Sequence, residues 1–253
     1  MPVLAFVAGL FIGSFLTVVV DRVPRGASVV APGSTCGACG LRLGPLDLVP
    51  VLSWLALRGR CRRCRASIGV EPLIVELSTA VVFAVFAANF ERIVTIAAHC
   101  VLGAGLVALT WIDLRTRRLP REVTYTTIAL GAPLLAAAAL VEGEPERIAT
   151  AVGGALLAVV LMGGLYLLSR GGLGDGDVRL SPLLGMYLGW TSLGHVPVGL
   201  FLGFLFGAVA GVAMIVAGRA GRKTALPFGP FLALGCIVGI LVGQALIDFL
   251  LRR

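Results

Sequence analysis

Two aspartates sit where an acid is costly. Asp113 closes an apolar stretch in Trp111-Ile-Asp-Leu-Arg-Thr-Arg-Arg-Leu-Pro120, and Asp177 opens another in Gly172-Leu-Gly-Asp-Gly-Asp-Val-Arg-Leu180. Ionisable side chains bordering hydrocarbon are rare, so these two are functional candidates by default. If they meet, two close carboxylates hold one proton between them, because the first charge opposes the second. The ionised member can then take a proton from water while the protonated member hydrogen-bonds a carbonyl oxygen, which hydrolyses an amide without an acyl-enzyme. Competing sets are poorly supplied. His99 falls in the middle of an apolar stretch, His195 falls on the other face, and no serine stands in a Gly-x-Ser-x-Gly elbow.

A second cluster has metal-ligand spacing. Cys36, Cys39, Cys61 and Cys64 form Cys-x-x-Cys, 21 intervening residues, then Cys-x-x-Cys again. Four thiolates from two tight turns can surround a zinc ion, and a loop this small lacks a core to fold around without one. Closed coordination leaves no open position for a substrate, so the expected zinc is structural. Cys100 and Cys236 lie in apolar stretches and read as packing residues.

The chain that must position these residues has 253 residues, 58% hydrophobic and 13% charged, with mean hydropathy +1.00. A soluble globule carries roughly 25% charged residues, so that class is excluded. Apolar segments fall at 3–20, 73–90, 93–112, 123–141, 148–168, 197–218 and 229–251, with a shorter one at 178–190. Counting the last as a short helix gives an all-α polytopic membrane protein of about eight transmembrane helices, with one small cytoplasmic zinc-binding-like loop domain. No charge precedes Asp21, so the first segment reads as a retained span rather than a cleavable signal.

The net charge of +8 could mark nucleic-acid binding or membrane topology, and its distribution favours topology. Alternating spans put 17 of the 21 basic residues on one side, including eight arginines between Arg22 and Arg65. Short cytoplasmic loops carry such an excess. That side is therefore cytoplasmic, and it holds the cysteines, Asp113 and Asp177. The expected division is 1–20 as a first transmembrane helix, 21–70 as the four-cysteine domain and 71–253 as a membrane domain bearing the aspartates.

Several further residues belong to this reading. Gly172, Gly174 and Gly176 permit close backbone approach, so an extended substrate could lie against the loop that carries Asp177. Asp175 is a third nearby carboxylate, ranked below Asp177, and Arg179 is a candidate partner for a catalytic acid. Glu76, inside the second span, is a candidate for contact with a substrate amine or for helix packing. Asp248 reads as an interfacial polar residue. A carboxylate-dependent transporter would use similar acids, but its site belongs near the bilayer midplane rather than at one edge. A non-enzymatic zinc-bearing assembly factor would need only the cysteines.

Together these motifs resemble the prepilin peptidases, or type IV leader peptidases, a family of membrane aspartic proteases. The resemblance runs through Gly13-Ser-Phe-Leu, Asp21-Arg-Val-Pro24, the paired cysteines, Asp47-Leu-Val-Pro-Val-Leu-Ser53, Arg58-Gly-Arg-Cys-Arg62, Glu76, Asp113 with Leu119-Pro120, Gly174-Asp-Gly-Asp-Val-Arg-Leu180 and Pro227-Phe-Gly-Pro-Phe-Leu232. It implies cleavage of the basic leader of type IV prepilins or pseudopilins after a glycine, at the cytoplasmic face of the bacterial inner membrane, with Asp113 and Asp177 as the catalytic pair. It also implies N-methylation of the new terminus from S-adenosylmethionine. Thr17 stands where the family usually has Asn, and Glu71-Pro-Leu replaces a frequent Arg-Tyr-Pro; both departures lie nearer the cysteine domain than the aspartate motifs.

Overall fold

The structure is a computed structural model and describes residues 1–169, 172–219, 221 and 226–251. Arg170, Arg222, Lys223, Arg252 and Arg253, which entered the charge distribution, lie outside the described residues. Among the described residues the architecture is helical, with no strand beyond two isolated bridges. Seven helices among these residues are long and apolar enough to cross a membrane, so this is a multi-pass membrane protein. The chain divides into two compact units, Met1–Trp111 and Ile112–Arg253.

In the first unit, α1 (Pro2–Arg22) packs on α3 (Glu71–Asn89). The approach is close because α1 presents glycines. A methyl group on Gly9 would sit 2.6 Å from the Ala80 Cα, and one on Gly13 would sit 2.6 Å from the Glu76 Cα. α4 (Ile93–Thr116) begins in this unit. His99 is fully buried on α4, its Nδ1 2.8 Å from the Thr95 carbonyl oxygen and its ring stacked on Phe90 at 4.1 Å. That is a packed core histidine.

The segment between α1 and α3 holds a short helix, α2 (Leu52–Ala56), and two near-identical hairpins. In the first, the Cys36 N–H donates to Leu41 O and the Gly40 N–H to Cys36 O; in the second, the Cys61 N–H donates to Ala66 O and the Arg65 N–H to Cys61 O. The bridges Thr35 to Arg42 and Arg60 to Ser67 close them in the same register. Gly40 takes φ +68 at the turn, and Arg65 is forced to φ +60 at the matching position. Asp47 ties the hairpins to the preceding turn, accepting the Gly44 N–H at 3.0 Å and pairing with Arg62 at 2.7 Å.

The second unit contains α5 (Arg121–Glu142), α6 (Glu146–Leu168), α7 (Asp175–Thr191), α8 (His195–Val216) and α9 (Gly229–Leu251). The short segment expected at 178–190 is α7, which starts three residues earlier. Gly174 supplies an extended N-cap, and acids in the first turn suit the positive end of a helix. At 17 residues α7 is about 26 Å long, short of a hydrocarbon core of about 30 Å. Its burial compensates. Leu183, Leu184, Tyr187, Leu188 and Trp190 are nearly inaccessible. Pro182 deprives the Val178 carbonyl of its helical donor, and the Ser181 hydroxyl donates to that oxygen instead at 2.8 Å. α7 meets α6 through glycine, since a methyl on Gly154 would fall 2.6 Å from the Gly189 Cα. His195, expected at the other face, follows the opposite end of α7 from Asp177.

Candidate active site

Both aspartates fall in the second unit, and each accepts a backbone N–H at the start of a helix. Asp177 is the third residue of α7 and is 7% exposed. Its carboxylate turns back toward Gly174, whose backbone N–H it engages. Asp113, near the end of α4, is 5% exposed, and its Oδ2 accepts the N–H of Gly229, the first residue of α9, at 2.9 Å. A helix leaves its first N–H groups unpaired and carries partial positive charge there. Two buried acids are thus held by donors that no other part of a helix would spare.

The two are electrostatically in touch: Asp113 exerts the largest charge effect on Asp177, ahead of Asp175. Leu119 lies between their supports. A methyl on Gly176 would be 3.3 Å from the Leu119 Cβ, and one on Gly229 would be 3.0 Å from its Cδ2. Leu119 is brought back to this position because the helix ends in a left-handed turn at Arg117, φ +53, whose N–H donates to Asp113 O at 2.8 Å. Arg179 does not reach Asp177; it pairs with Asp175 at 2.5 Å on the exposed face of α7. Asp175 is thereby engaged elsewhere.

The four cysteine sulfurs of the first unit lie within 4.8 Å of one another. Cys36 and Cys64 are 3.8 Å apart, Cys39 and Cys61 4.0 Å. Tetrahedral zinc with bonds of about 2.3 Å would space its sulfurs by about 3.8 Å. The donor set fits a metal ion. Backbone N–H groups of Ala38 and then Cys39 hold Cys36 as thiolate, lowering its pKa to about 6, and those of Cys64 and then Arg63 lower that of Cys61. The same amides serve the same sulfur in each hairpin.

The chain is similar to known proteins along most of its length. Residues 7–90 match the Bacterial Peptidase A24 N-terminal domain, and residues 100–212 match the Type IV leader peptidase family. A Bacillus subtilis protein named prepilin leader peptidase/N-methyltransferase is 30% identical over 247 residues, covering 98% of this chain and 96% of its own. The chain belongs to the type IV leader peptidase family. Proteins of the same name from Aeromonas salmonicida, 32% identical over 96% of this chain and 91% of theirs, and from Pseudomonas aeruginosa, 31% identical over 93% and 88%, support the assignment. No solved structure matches.

Within this peptidase, Glu76 is buried on α3, and its Oε2 accepts the Val51 N–H at 2.8 Å. Ser14 also hydrogen-bonds it. Its carboxylate is thus hydrogen-bonded within the first unit. Gly229 and Leu119 lay in the motifs that carried the resemblance, but the sequence did not single them out as neighbours of the aspartates' supports. The signal was a glycine between two prolines' reach, Pro227-Phe-Gly-Pro230, whose need for a bare Cα is visible only once Asp113 is beside it. A methyl on Gly229 would fall 2.9 Å from Asp113 Oδ2. Gly229→Ala is therefore expected to leave the helices intact and lower peptidase turnover by about a hundredfold, as sub-ångström to ångström misplacement of a reacting group does. Turnover on a peptide substrate beside circular dichroism of the same sample checks it; wild-type turnover would remove Gly229 from the site.

Proposed function

We propose that this protein removes the basic leader of type IV prepilins or pseudopilins after a glycine, at the cytoplasmic face of the bacterial inner membrane, with Asp113 and Asp177 activating the attacking water. The observation that carries this is the placement of two buried acids, each on a helix N-terminus, within electrostatic reach of one another in one compact unit. One carboxylate, ionised, takes a proton from water as the oxygen adds to the scissile carbonyl carbon. The other, protonated, hydrogen-bonds the carbonyl oxygen as charge develops there. When the carbon–nitrogen bond breaks, the departing amine takes up a proton and the pair returns to its shared-proton state. The arginine distribution supports the cytoplasmic side. The extended N-cap at Gly174 suits an extended substrate laid along this loop.

Methylation of the new terminus is part of the same proposal, following the relatives' printed name. With S-adenosylmethionine as co-substrate, the neutral amine takes the methyl as the sulfur–methyl bond breaks, the thioether S-adenosylhomocysteine leaves, and the methylated amine loses a proton. Cys36, Cys39, Cys61 and Cys64 would hold zinc in a closed, structural role. Glu76 positions the segment that follows the turn at Val51. The test uses purified protein in detergent and a synthetic peptide with a basic leader ending in glycine before an apolar stretch. Mass spectrometry should find the peptide cut after that glycine and, with S-adenosylmethionine present, one methyl group on the new terminus. An intact peptide with folded protein would sink the peptidase reading; a cut but unmodified one would sink the methylation reading alone.

A further inference from the structure

The first unit leaves an apolar face bare beside a cluster of unpaired cations. Leu52 and Leu55, one turn apart on α2, are 65% and 55% exposed, and Leu46 and Leu48 in the preceding turn are exposed as well. Among the described residues nothing covers them. Just beyond α2 come Arg58, Arg60, Arg63 and Arg65, all exposed and without an ion pair among the described residues. The one acid between α1 and α3 is Asp47, engaged by Arg62, and Asp21 at the end of α1 is engaged by Arg25. The positive charge is left for something outside the chain.

The level of this face relative to the membrane is set by two anchors. The Val51 N–H reaches Glu76, the sixth residue of α3, at 2.8 Å, and the Trp54 Nε1–H donates to Gly69 O at 2.7 Å, two residues before α3 begins. Strain shows that the first anchor matters. Val51, β-branched, is held at φ +60, ψ −52, a γ-turn closed by the Leu52 N–H on Pro50 O. α2 is thus tied from its N-cap to α3 itself and from its middle residue to the backbone just before α3, a membrane-spanning helix.

We propose that α2 lies in the membrane–water interface, with Leu52 and Leu55 in the acyl boundary and Arg58, Arg60, Arg63 and Arg65 against anionic headgroups. Apolar residues on one side and arginines on the other are what an interfacial segment requires.

The test is photocrosslinking of the full-length, zinc-loaded protein in vesicles of phosphatidylglycerol and phosphatidylcholine. p-Benzoylphenylalanine replaces Leu55 in one sample and Ala38, exposed on the first hairpin, in another. Position 55 should yield phospholipid adducts several-fold above position 38, enriched in phosphatidylglycerol. Combining Arg58→Gln, Arg60→Gln and Arg63→Gln should erase that enrichment. Equal lipid labelling at both positions, or adducts at 55 confined to protein, overturns the proposal, the latter in favour of a protein docking face. Enrichment unchanged by the arginine substitutions overturns the headgroup assignment. Leader cleavage measured on the same samples keeps these outcomes separate from the peptidase reading.

Discussion

Asp113→Asn and Asp177→Asn should each lower leader cleavage by at least about a thousandfold, the upper range for losing a positioned general acid or base. The substitution is nearly isosteric, and an amide oxygen at position 113 can still accept the Gly229 N–H, so the contact that fixes the start of α9 survives. What disappears is the capacity to hold or release a proton. Because the two act as one unit, the double variant should be no worse than either single one. Asp175→Asn is the matched control. Its carboxylate pairs with Arg179 on the exposed face of α7, so its loss should cost a few-fold at most. Single-turnover cleavage of a leader peptide, with metal content measured alongside, decides the matter. Full activity in either Asn variant, or a large loss in Asp175→Asn, would reassign the pair.

The second large effect concerns the metal. Replacing Cys36 and Cys39 together by serine should abolish metal binding and unfold the segment between Ser34 and Gly69. Structural zinc contributes apparent binding energies of about 10–16 kcal/mol in small domains, and this segment has almost no other core: Cys61, Gly59 and Pro50 are its buried residues between 26 and 70. Elemental analysis should show stoichiometric zinc in the parent and none in the variant, and limited proteolysis should cut the variant between the hairpins. Lowering the pH should release the ion as the thiolates protonate. Methyl transfer should vanish, while cleavage, whose aspartates belong to the other compact unit, should fall much less. A variant that retains zinc, or resists protease as the parent does, would remove the metal from the fold of this segment.

The spans were legible because a long apolar run has few other uses. α7 was harder to read from its own residues: it carries Asp175, Asp177, Arg179 and Pro182, which depress its hydropathy, and its burial by neighbouring helices cannot be read locally. The acids could be picked out as rare ionisable groups at the edges of apolar runs, and the cysteines by spacing alone. What stayed hidden was everything supplied by backbone. The Gly229 N–H on Asp113, the Val51 N–H on Glu76 and the amides on Cys36 are contacts between distant positions or unremarkable peptide groups, and neither leaves a residue-type signature. Arg179 was misleading for a simple reason. Four residues separate it from Asp175 and only two from Asp177, and on a helix the former pair share a face while the latter do not.

The glycine seam between α6 and α7 reaches beyond packing. Gly185 and Gly189, one turn apart, both rest against Gly154, so sliding α7 along its neighbour by a turn would drive larger side chains into a backbone with no room for a methyl group. The seam works as a depth stop, fixing how far α7 protrudes. The carboxylate of Asp177 rides on the same rigid rod, about 12–18 Å away, and its height is set there rather than at the site where it acts.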